Sequence, residues 1–134
     1  MLDTQTLCAR VTTPARAKTR SLYMTLQSRK WAEDLRKSGK ADKTTTRVLT
    51  DGLLAMLDYY NRNPALKKSE QTHLEGQMAR IEGHPTVKVQ LSVSDAHWDI
   101  VTRLSDELDV CPSKLVRVVS HIAMERVHAE LSGR

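Results

Sequence analysis

A chain of 134 residues, 40% hydrophobic but only 4% aromatic and without Phe, fits one compact domain or two small units sharing a core of Leu, Val, Ile, Met and Ala, which suits packed helices better than a large β-sandwich. No apolar leader opens the chain and no run approaches the roughly 18 apolar residues of a membrane span; Cys8 and Cys111 lack C-x-x-C spacing, so neither a disulfide framework nor a zinc site is expected and a reducing, cytoplasmic setting fits. Lys and Arg number 21 against 16 Asp and Glu, a surplus of +5 that suits a polyanionic partner without proving one.

Residues 1–17 are basic and polar without periodicity and read as a flexible arm, with Arg16, Lys18 and Arg20 as candidates for contact with a polyanionic partner. A first unit is expected over 18–62. Thr19 to Leu26 reads as a strand, with Leu22, Met24 and Leu26 on one face and Ser21, Tyr23 and Thr25 on the other. A helix starting at Gln27 or Ser28 carries Trp31 and Leu35, and the polar stretch 38–43 ends it. Three threonines lead into a second helix ending near Asn61, which buries Leu49, Leu53, Met56, Leu57 and Tyr60.

Asn63-Pro64 closes that unit, because proline disfavours helical geometry in the residue before it. Residues 63–84 read as a linker, with a helical turn or two around Leu74, Met78 and Ile81. The second unit, 85–131, opens on Thr86–Val93, T-V-K-V-Q-L-S-V, whose strict alternation marks a half-buried strand. Ser94 is a helix N-cap with Asp95 in the first turn, and Trp98, Val101, Leu104 and Leu108 form one apolar stripe. After a break at 109–113, Pro112 suits the first position of a helix reaching about Leu131. That helix is apolar enough to be buried on more than one side.

The two units repeat each other. A shift of 67 residues carries Leu22, Met24 and Leu26 onto Val89, Leu91 and Val93, Trp31 onto Trp98, Asp42 onto Asp109 and Leu57 onto Met124. Two copies indicate an internal pseudo-dimer rather than a solenoid. One strand and two helices cannot close a core alone, since the strand has two unpaired edges. Pairing the copies makes a mainly α fold with a two-stranded antiparallel ribbon: two ribbon-helix-helix units in one chain.

A two-stranded ribbon fits the major groove of B-DNA. Its outer face is expected to read bases through Ser21, Tyr23, Thr25, Lys88, Gln90 and Ser92. The starts of the second helices, with Thr45, Thr46 and Arg47 in one unit and Ser113 and Lys114 in the other, are expected to hold phosphates. The reading residues differ between halves, so the DNA site is expected to be asymmetric. His121, Glu125 and His128 share a helix face at spacing that permits a metal, but a polar rim is the plainer reading. No metal, cofactor or catalytic site is expected.

The order T-V-K-V-Q-L-S-V, helix, C-P-S-K turn, L-V-R-V-V-S-H-I resembles the ribbon-helix-helix superfamily over residues 18–62 and 85–131. These motifs are short and degenerate, so the likeness rests on their order and duplication. Tandem units occur in TraY-type accessory proteins of conjugation and in the VirC overdrive-binding family of Agrobacterium T-DNA transfer; V-T-T-P-A-R-A-K-T-R-S-L-Y-M-T-L followed by K-W-A-E-D-L looks most like the latter. The resemblance implies double-stranded DNA as ligand, an enhancer beside the transferred border as target, and a ParA-like ATPase and a relaxase as partners. Two other readings stay open: a plasmid-borne repressor or antitoxin of the same fold, and a protein-interaction scaffold without DNA readout.

Overall fold

The computed structural model describes residue 7 and residues 18–40 and 43–132. Within them the order is β1 (Lys18–Thr25), α1 (Leu26–Lys37), α2 (Thr45–Tyr60), α3 (Lys68–Ile81), β2 (Thr86–Val93), α4 (Asp95–Leu108) and α5 (Pro112–Ser132). The chain is mainly helical, and its two strands form one antiparallel ribbon over a helical layer. It is two ribbon-helix-helix units folded against each other as an intramolecular pseudo-dimer. No described helix is long and apolar enough to cross a membrane. Of residues 1–17, only Leu7 lies within the described residues; it is helical and buried in the core.

The register carries the symmetry. Leu22 pairs with Val89, the residue onto which the 67-residue shift moves it, so this pair sits on the pseudo-two-fold axis. Tyr23 pairs with Lys88 on one side of the axis and Ser21 with Gln90 on the other. Opposed residues in an antiparallel ladder share a face. Leu22, Met24, Val89, Leu91 and Val93 therefore project together into the core, where all are buried. Below them α5 packs against α1, α2, α3, α4 and β1. Its Leu115, Val116, Val118, Val119, Ile122, Ala123, Met124 and Val127 are buried, which accounts for apolar residues all round this helix. At the α2–α5 crossing a Cβ on Gly52 would lie 2.6 Å from Cε of Met124, so a larger residue there would require the flexible end of that side chain to move.

The linker is more ordered than its composition indicates. Instead of a turn or two, α3 runs for 14 residues. Leu74, Met78 and Ile81 fall on one face and are buried, and α3 packs on α5. The Glu70 carboxylate accepts the Lys67 backbone N–H at 3.1 Å, half of a capping box, because the Lys67 ammonium cannot accept in return. Nη2 of Arg80 donates to both carboxylate oxygens of Glu125 in α5, each at 2.8 Å. Gly83, at φ +82°, then turns the chain toward β2.

The strand-to-helix junctions differ between copies, and this corrects two expectations. In the second copy Ser94 caps α4 by accepting the His97 N–H at 3.1 Å, as its sequence indicates. In the first copy the helix starts two positions earlier. Thr25, equivalent to the strand residue Ser92, is itself the N-cap and accepts the Ser28 N–H at 3.1 Å. Thr25 is thus fully buried instead of facing outward, and Leu26 opens α1 rather than ending β1. The ladder nevertheless reaches one step further, with Leu26 N–H donating to the Pro85 carbonyl at 2.8 Å.

His121 of α5 holds this junction. Its Nδ1 lies 2.7 Å from the Thr25 hydroxyl and 3.5 Å from that of Ser28, and its ring packs edge-on against Trp31. Burial pushes the imidazole pKa below its ordinary value; Glu125 pulls it back, while Arg80 and His84 push with burial. A histidine whose folded pKa lies below the unfolded one contributes stability that is complete above the unfolded value, ~6.5, and declines as pH falls toward the folded value. Urea unfolding is expected to show lower stability at pH ~5 than at pH ~7.5, with a smaller difference in His121→Asn. An undiminished difference in that variant removes His121 as the source.

Candidate nucleic-acid interface

The outer face of the ribbon is built by alternation alone. Thr19, Ser21 and Tyr23 of β1 and Thr86, Lys88, Gln90 and Ser92 of β2 are all exposed, while their chain neighbours at the ribbon centre are buried. Five of the six residues expected to read bases therefore stand on one solvent-facing ridge. Thr25, the sixth, does not, because it caps α1. Tyr23 is 50% exposed and is the large hydrophobic side chain most open to solvent among the described residues. It lies directly opposite Lys88, so an aromatic ring and an ammonium stand on one side of the pseudo-axis, and Ser21 and Gln90 on the other.

The basic residues expected as an arm are placed differently. Arg16 lies outside the described residues. Lys18 and Arg20 belong to β1, not to an arm, and their alternation puts them on the inward row opposite Val93 and Leu91. Both approach Asp95, at 3.7 and 3.8 Å, and the Arg20 guanidinium stacks over Trp98 at 4.1 Å. The Asp95 charge and the Trp98 ring hold Arg20 beside α4, away from the outer ridge.

The starts of α2 and α5 flank the ribbon. Thr44 caps α2 by accepting the Arg47 N–H at 3.1 Å, which leaves the Thr45 and Thr46 N–H groups at the open helix start. Thr46 is exposed. Thr45 accepts a hydrogen bond from Nε of Arg36 at 3.2 Å, so its own O–H remains a donor. Arg47 is less available than its sequence position indicates. It pairs at 2.9 Å with the buried Asp51, whose other oxygen meets Lys43 at 2.6 Å. In the second copy Ser113 is exposed and Lys114 half-buried at the first turn of α5, and Nε of Arg117 donates to the Tyr23 carbonyl at 3.2 Å.

Arg29, Arg36, Arg117 and His84 also line the flanks but were not singled out from the sequence. Arg29 and Arg36 stand two helical turns apart on α1, a spacing that was visible but had no meaning until α1 was set beside β2. His121, Glu125 and His128 do not converge. His121 faces Thr25, while Nε2 of His128 faces Asp34 at 3.5 Å, and no cluster of three metal-ligating side chains occurs among the described residues. The chain Ser94–His97–Asp58 has bonds of 2.8 and 2.9 Å, but Ser94 is buried and committed as the α4 cap, so it is a tie between α4 and α2.

No protein-family model, curated protein or solved structure matches the chain.

Proposed function

We propose that this chain binds double-stranded DNA by setting the β1–β2 ribbon into the major groove. The observation that carries the reading is the ridge itself: two strands paired about a pseudo-two-fold axis, polar outward, with the open starts of α2 and α5 beside them. A two-stranded ribbon has the width the major groove admits. Lys88 suits guanine O6 and N7, and Gln90 can pair with adenine N6 and N7. Ser21 and Ser92 serve either base, and Tyr23 offers a ring to a thymine methyl. Thr45, Thr46, Ser113 and Lys114 are suited to hold phosphates by backbone N–H, hydroxyl and ammonium groups. Because Tyr23–Lys88 and Ser21–Gln90 are related by the pseudo-axis yet differ chemically, the target is asymmetric.

The more specific part of the proposal is an accessory role in plasmid or T-DNA transfer, as a DNA-bound cytoplasmic organiser beside a ParA-like ATPase and a relaxase. It is supported by the resemblance of the first unit and by the tandem arrangement, and not by geometry, since one fold serves many functions.

Lys88→Ala and Gln90→Ala are expected to lose ~1–3 kcal/mol of discrimination each, measured by competition between the selected duplex and a scrambled one. Unchanged preference would remove both from the reading face. Lys114→Ala is expected to weaken binding to all sequences alike and to flatten the slope of log K against log salt by ~0.9. A wild-type protein showing no salt-dependent duplex binding at all would overturn the DNA reading in favour of a protein scaffold.

A further inference from the structure

Between α1, the start of α2 and β2 lies a polar groove of about 430 Å³ that opens at the side of the ribbon, with Lys88 and Gln90 in its lining. Arg29, Arg36 and Lys88 bring three cations to it against the single carboxylate of Glu33. Each arginine spends its Nε on a neighbour: Arg29 on Glu33 at 3.3 Å, Arg36 on the Thr45 hydroxyl at 3.2 Å. Among the described residues each guanidinium has this one partner, and its terminal nitrogens are the part that matches phosphate oxygens in a fork. The dipole of α2 adds positive potential from the same end, where Thr45 and Thr46 line the wall.

The pseudo-symmetric flank is lined differently. The 67-residue shift carries Arg29 and Glu33 onto Ala96 and Ile100. Arg36 goes onto Arg103, whose Nη1 is held by the carbonyls of Asn63 and Pro64 at the linker. At the start of α5 the cavity is smaller, about 190 Å³, and is shared with the end of α3 through Glu82 and His84 beside Lys114 and Arg117. The linker thus engages on one flank the guanidinium whose equivalent, Arg36, lines the groove on the other.

We propose that the α1 groove is an additional binding site for the phosphodiester backbone, present on one flank only. Arg29 and Arg36 grip phosphates just outside the major groove read by Lys88 and Gln90. The protein then holds the duplex more extensively on one side of its pseudo-axis, and backbone contacts help set its orientation on DNA along with base contacts. The proposal rests on the DNA reading above.

The test uses the full chain and a duplex that this chain selects from a random-sequence pool, with hydroxyl-radical footprinting and a salt titration. The Arg29→Ala/Arg36→Ala protein is expected to lose backbone protection on one flank, keep it on the other, and lower the salt slope by roughly two. Glu33→Gln, which removes the opposing charge and leaves both arginines in place, is expected to bind several-fold more tightly, so a folding defect in the double variant does not decide the matter. Protection that persists on both flanks of the double variant, or a Glu33→Gln protein that binds no more tightly than the wild type, overturns the groove while leaving the duplex reading intact. Failure of the wild-type chain to select or protect any duplex overturns both.

Discussion

Among the described residues neither strand has a partner except the other, and this ladder constrains everything else. A lone strand exposes N–H and C=O groups on both edges, and two strands alone are marginal in water. The ribbon persists because its inward row, Leu22, Met24, Val89, Leu91 and Val93, is covered by helices from both halves of the chain. A slip of one residue would turn that row to solvent and bury Lys88 and Gln90, so the hydrophobic pattern holds the register. The register in turn places Leu22 opposite Val89 on the pseudo-axis. The polar ridge is therefore a by-product of burying the other face, and its composition is free to be chosen for a ligand.

A single chain carrying both halves has a freedom that two identical subunits lack: equivalent positions can diverge. The central rows stay alike in class, as the core requires, while the periphery differs. Thr25 caps a helix where Ser92 faces water; Arg29 and Glu33 stand where Ala96 and Ile100 do on the other side. The linker adds contacts of its own, because α3 covers one flank of α5. Residue class is kept in the central rows of the ribbon and diverges at its periphery.

The buried polar groups follow the same division. His121 sits at the equivalent of Leu54, and both are buried. Placing an imidazole in an apolar position carries a desolvation cost that its bond to Thr25 offsets in part. That bond joins α5 to the end of β1 and accompanies the early start of α1. The Asp51 carboxylate, fully buried in α2, is similarly compensated by Lys43 and Arg47, which draws Arg47 away from the open helix start. The surface roles left to neighbouring residues depend on which groups these internal acids and histidines have already engaged.

By itself the sequence determined the elements of the second unit to the residue at β2 and at the Ser94 cap, the pairing of two copies and the outward alternation of Ser21, Tyr23, Lys88, Gln90 and Ser92. These follow from periods of 2 and 3.6 residues and from cap chemistry, all of which act over a few positions along the chain. Only the tertiary structure decided that Thr25 turns inward to His121, 96 residues away, that Arg20 stacks on Trp98, that Arg47 is held by Asp51, and that Arg29 and Arg36 share a groove with Lys88. The full length of α3 belongs with these, since its stripe of Leu74, Met78 and Ile81 becomes a helix-forming signal only against α5. In each case the deciding interaction joins side chains remote in sequence or groups whose competing partners no local pattern records. Local periodicity specifies which face of an element is apolar, whereas the choice among several available polar partners is made only when the elements pack.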